Sequence, residues 1–63
     1  MQEYSRVKLI TDKYQNEGIA KGSIGYIIEV YPGQKYEIEF SNYDTGETIA
    51  MIVVDENDIE LNE

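Results

Sequence analysis

The chain reads as an all-β protein: a small five-stranded barrel closed by a one-turn 3-10 helix before its last strand. Three observations point there. Short runs rich in β-branched and aromatic residues are separated by turns bearing Gly, Pro and Asn. No apolar series of helical period runs long enough to make a helix. Sixty-three residues allow one domain, 1–63, and closure is the economical way for so short a chain to leave no strand edge.

Taken in order, Arg6 to Ile10 is the first strand, with Val7 and Leu9 on one face. Thr11 to Gly22 is a polar loop whose large apolar members are Tyr14 and Ile19. A loop of this length is either functional or packed by its own side chains. Gly18, Gly22 and Gly25 punctuate the approach to the second strand, Ile24 to Tyr31, as at a barrel corner. Pro32-Gly33 is a turn in which proline presets φ and glycine supplies a positive φ. Tyr36 to Ser41 alternates cleanly, with Tyr36, Ile38 and Phe40 inward and Glu37, Glu39 and Ser41 outward.

Residues opposite each other on antiparallel strands share a face. Pairing Val30 with Tyr36, Ile28 with Ile38 and Tyr26 with Phe40 keeps the apolar faces together. Tyr26 and Tyr36 then belong to the core. Glu29 faces Glu37 on the outside, or Glu39 if the register slips by two residues, and either is a like-charge pair of small cost in water. Local rules are broken most often at functional positions.

Asn42 to Gly46 is a turn cluster. Glu47 to Val54 is the fourth strand, but Ile49 to Val54 does not alternate, so its phase is open. Asp55-Glu56-Asn57 suits a single helical turn. Asp58 to Leu61 is the last strand, with Ile59 and Leu61 inward.

Composition removes several chemistries. There is no cysteine and no histidine. Disulfides, thiolate metal sites and the commonest acid–base residue are therefore excluded. Net charge is −8, and residues 36–63 carry nine of the thirteen acids and none of the five bases. That half disfavours phosphate contacts, so no nucleic-acid partner is expected. Its field serves solubility or steers a basic protein partner. No signal peptide is visible at the polar start, and Ile49 to Val54 is too short to span a bilayer, so no membrane partner is expected. Lack of cysteine is compatible with the cytosol, and a cytoplasmic location is the expectation.

The segments Arg6-Val7-Lys8-Leu9-Ile10, Gly18-x3-Gly22-x2-Gly25-x-Ile27-x-Glu29-Val30 and Tyr36-x-Ile38-x-Phe40 resemble SH3-like barrels of the KOW type. With Ala50 to Leu61 added, the pattern from about Arg6 to Leu61 is similar to a family of short bacterial proteins, the domain of unknown function 4926. The resemblance implies an SH3-like barrel without enzymatic activity. Members of that family often sit beside genes for toxin-like domains, which implies an immunity protein or antitoxin. The basic loops of nucleic-acid-binding KOW domains are not matched here.

Carboxylates at Glu37 and Glu39, or at Asp55, Glu56 and Asp58, are the candidates for acid–base work, but exposed carboxylates keep ordinary pKa values and catalyse little. Asp55 to Asp58 offers oxygen ligands yet lacks the glycine and terminal glutamate of a calcium loop, and reads as a solvated turn. No cofactor or metal is expected. Six tyrosines supply interface or rim material; Tyr4, Tyr14, Tyr31 and Tyr43 fall in loops or on outward faces. A proline-peptide groove normally adds a tryptophan, which this chain lacks.

The expected function is an acidic protein-interaction module, an immunity protein or antitoxin that blocks a nuclease-type toxin. Its candidate partner-binding set is Glu29, Tyr31, Glu37, Glu39, Tyr43, Asp44 and Glu47. A small accessory subunit docking on a larger enzyme is the alternative, and a KOW-like nucleic-acid-associated domain is the third reading, opposed by charge.

Overall fold

The computed structural model describes residues 1–42 and 45–63. It holds five strands: β1 (Arg6–Leu9), β2 (Ile24–Tyr31), β3 (Lys35–Ser41), β4 (Thr48–Asp55) and β5 (Ile59–Leu61). Single 3-10 turns lie at Gln15–Glu17 and Glu56–Asp58, the second leading directly into β5. All pairings are antiparallel, in the order β4-β3-β2-β1-β5.

This sheet is open, which corrects the expectation of a closed barrel. Among the described residues, β4 pairs with β3 alone and β5 with β1 alone, so both are edges. β5 has only three residues, all of them paired to β1. The sheet curls nonetheless, because Val54 on one edge strand and Ile59 on the other belong to a single core with Val7, Leu9, Ile19, Ile27, Tyr36, Ile38 and Phe40.

The β2–β3 hairpin is half as expected. Val30↔Tyr36 and Glu29↔Glu37 pair as the sequence predicts, and Tyr31↔Lys35 extends the pairing by one residue. A bulge between Ile27 and Glu29 then shifts the register, giving Ile27↔Ile38, Tyr26↔Glu39 and Gly25↔Phe40. The extra residue reverses which side chains face in. Ile27 is fully buried, and Tyr26, expected in the core, is exposed on the outer face. Gly25 takes the inward place opposite Phe40. A Cβ there would lie 2.7 Å from the Ile38 side chain and 2.8 Å from the Glu39 carbonyl. The glycine is needed for close packing and not for its φ. Val30 and Leu61, also expected inward, are exposed, Val30 at the penultimate position of β2 and Leu61 at the end of β5.

The turn after β2 behaves as predicted, with Gly33 at φ 77° and Gln34 also positive at 61°. In the long loop, Ile19 enters the core and Tyr14 packs against it. The 3-10 turn inside that loop was not anticipated. It ends at Gly18, whose φ of 82° stops the helix. Pairing to β3 settles the phase of β4. Ala50, Ile52 and Val54 share the core face with Phe40, Ile38 and Tyr36, while Ile49, Met51 and Val53 are exposed.

Candidate functional site: the outer face of β2, β3 and β4

The alternation of β3 that buries Tyr36, Ile38 and Phe40 must send Glu37 and Glu39 to the opposite face. Cross-strand pairing then builds two rows. Glu29, Glu37 and Val53 form one; Tyr26, Glu39 and Met51 form the other. The acids of β3 are thus flanked by exposed apolar groups on β4, Met51 at 56% and Val53 at 49% exposure. Covering such exposed aliphatic groups would remove apolar surface from water, which is favourable.

The face is under-compensated in charge. Tyr31 Oη donates to Glu37 Oε1 at 2.7 Å, and Thr48 Oγ1 donates to Glu39 Oε2 at 3.1 Å. The bond to Glu37 pushes the Tyr31 hydroxyl pKa up, helped by desolvation and by the charges of Glu37 and Glu29. Among the described residues, ion pairs occur only around Asp55 and Asp58, and none reaches Glu29, Glu37, Glu39 or Glu47. Arg6 is opposite Tyr26, but its Nε donates to the Asn62 carbonyl at 2.6 Å.

The structure therefore brings Glu29, Tyr31, Glu37 and Glu39 together. Glu47 lies exposed just before β4, its backbone N–H on Thr45 Oγ1 and its carbonyl accepting from Asn42. Tyr43 and Asp44 lie outside the described residues. Tyr26, Met51 and Val53 join the face without having been expected there. The non-alternating run of β4 hid two of them, and the bulge hid the third.

A second cluster was read from sequence as a solvated turn. Asp58 is buried. Its Oδ2 accepts from Tyr14 Oη at 2.7 Å and from the Asp55 amide at 3.1 Å, and it pairs with Lys13 Nζ at 3.2 Å. Asp55 pairs with Lys13 and Lys35. Burial alone would raise the Asp58 carboxyl, but these hydrogen bonds outweigh it and hold its pKa below the usual value. Tyr14 is pushed up by burial and then by its bond to Asp58. The spacing Asp55-x-x-Asp58 was the available signal, since the third residue of a helical turn reaches back to the cap. With these donors in place the carboxylates are occupied internally. No group of three or more acidic, His or Cys side chains is placed to hold a metal among the described residues.

An open cleft of about 330 Å³ borders the outer face, lined by Arg6, Ile24, Tyr26, Ser41, Asn42 and Gly46. Among the described residues, Arg6 is its one charged lining group. No helix is long and apolar enough to cross a membrane among the described residues.

Against known proteins, the model of a domain of unknown function, DUF4926, matches residues 3–61. The chain belongs to this family. No curated protein and no solved structure matches it. The acidic face and the Tyr14–Asp58 corner both lie inside the span shared with DUF4926.

Proposed function

We propose that this DUF4926 protein is an acidic protein-interaction module whose β2–β4 outer face docks on a basic protein surface. The observation that carries the reading is the set Glu29, Glu37 and Glu39. Among the described residues these carboxylates have no cationic partner, two of them sit directly opposite each other, and exposed Tyr26, Met51 and Val53 surround them. A partner's Lys or Arg relieves the repulsion and steers association.

A basic surface of this kind lines the substrate site of a nuclease-type toxin, because that site must hold phosphates. The reading is therefore an immunity protein or antitoxin of the cytoplasm, with glutamates standing in for phosphates and blocking access. We also infer an SH3-like relationship, supported by the strand order and by the 3-10 turn that leads into the last strand.

The test is a kinetic titration against the product of the neighbouring gene at low and high salt. Glu37→Lys with Glu39→Lys should leave folding intact, slow association by about tenfold or more, and flatten its salt dependence. Unchanged rates in the folded double variant would sink the acidic-face mechanism.

A further inference from the structure

The two edges of the sheet are built differently. Natural sheets blunt an edge with brevity, lysine, proline or a bulge. β5 is blunted, with three residues and Glu60 at its centre. β4 has eight residues, Thr48–Asp55, without Lys, Arg, Pro or Gly and with its only charge at the last position. Its pairing to β3 is regular from Ala50 to Asp55, and the one irregularity lies beyond Phe40. The far side of β4 pairs with no strand among the described residues. Ile49, Met51 and Val53 are exposed on its outer face, and Ala50 and Ile52 are only half-buried on its core face.

We propose that β4 receives an extended basic segment of the partner, which adds to the sheet as a sixth strand. Charge decides against a second copy of this chain. Each copy carries −8, and antiparallel β4–β4 pairing would bring Glu47 of one near Asp55 of the other, with Glu37 and Glu39 flanking the seam on both sides. A basic strand meets the opposite field. Adding about 4.8 Å beyond β4, it stands roughly two strand spacings from β3. Lys or Arg on its outer face can lay their stems over Met51 and Val53 and bring their charge to Glu37 and Glu39. The alternate residues fall beside Ala50 and Ile52 and are apolar. The partner segment therefore alternates Lys or Arg with Val or Ile, its main chain supplying affinity and its side chains specificity.

This inference rests on the acidic-face reading, and the experiment separates the two. The probe is an acetylated nine-residue peptide alternating lysine and valine, titrated against the full chain with amide hydrogen exchange as a second readout. Two further peptides carry N-methyl amides, one on every lysine and one on every valine. In a strand, all N–H groups of one set point to the same edge. One methylated peptide should lose at least about tenfold in affinity, the cost of its lost ladder bonds. The other should bind like the parent. The parent should also slow exchange across residues 49–54.

If both methylated peptides bind as tightly as the parent, the edge is not used, although charge reversal at Glu37 and Glu39 can still weaken binding and leave the acidic-face reading intact. Failure of the parent peptide to bind also overturns the strand-addition inference. So does concentration-dependent dimerisation protecting residues 49–54, which would give the edge to a second copy.

Discussion

Two tyrosine–carboxylate contacts of the same 2.7 Å length do opposite things in this molecule. Tyr14–Asp58 joins the long loop to the turn before β5, and Lys13 and the Asp55 amide complete the shell around the carboxylate. Tyr31–Glu37 lies on the outer face with Glu29 opposite and, among the described residues, no cation in ion-pair range. The first places a buried charge whose Oδ2 meets a hydroxyl, an amide and an ammonium, so it holds structure together. The second leaves a charge that no ion pair neutralises among the described residues. Acidic composition alone does not separate these roles; burial and the supply of donors do.

The largest effect should come from the residue that underlies both regions. Ile38 is fully buried on β3 between the outward Glu37 and Glu39. Ile38→Ala should cost about 2–5 kcal/mol and weaken both contacts in one cooperative transition. Chemical denaturation followed at the Tyr14 and Tyr31 resonances checks this. Two separate midpoints would mean that the regions are independent units.

Asp58→Ala should come next, at about 1–3 kcal/mol, because it strips the Tyr14 hydroxyl and the Asp55 amide of their acceptor. The same contact gives a pH signature. The folded Asp58 pKa lies below its unfolded value of about 3.9. Its contribution is thus complete above about pH 4 and is lost as pH falls through the depressed folded value. Unfolding midpoints measured from pH 5 down to 2 should fall less steeply in Asp58→Ala than in the parent. Parallel curves would remove Asp58 from the account of acid stability.

Glu37→Gln should be the smallest change, within about 0.5 kcal/mol and toward higher stability, since it ends the repulsion with Glu29 while keeping an acceptor for Tyr31. A loss above about 1 kcal/mol would show that this face is structural like the Tyr14–Asp58 corner.

Local chemistry made much of this legible in the sequence. The alternation of β3, the Pro32-Gly33 turn and the Glu29–Glu37 pair all follow from rules acting over a few residues. The bulge does not. Ile27 and Ile28 are adjacent and equally apolar, so nothing in the run says which belongs to the core. That choice is made by Gly25, which leaves room for Phe40, and it carries Tyr26 to the outer face. The phase of β4 was hidden likewise, because six apolar residues from Ile49 to Val54 erase the contrast between faces. The Tyr14–Asp58 contact joins residues distant in the chain, where spacing rules have no reach. The open sheet turns on the brevity of β5, which pairs with β1 and leaves β4 an edge.

The pairing of β1 with β5 also bears on how the molecule assembles. Val7 meets Leu61 across almost the whole chain, while β2, β3 and β4 follow one another through short connections. Closing a long loop costs entropy before any contact rewards it, so pairings between distant residues set the pace of folding. The three-stranded meander can form from local contacts alone, and the β1–β5 seam has to wait for it. The acidic face and its unblunted β4 edge are therefore expected to take shape before the part of the fold that joins the two ends of the chain.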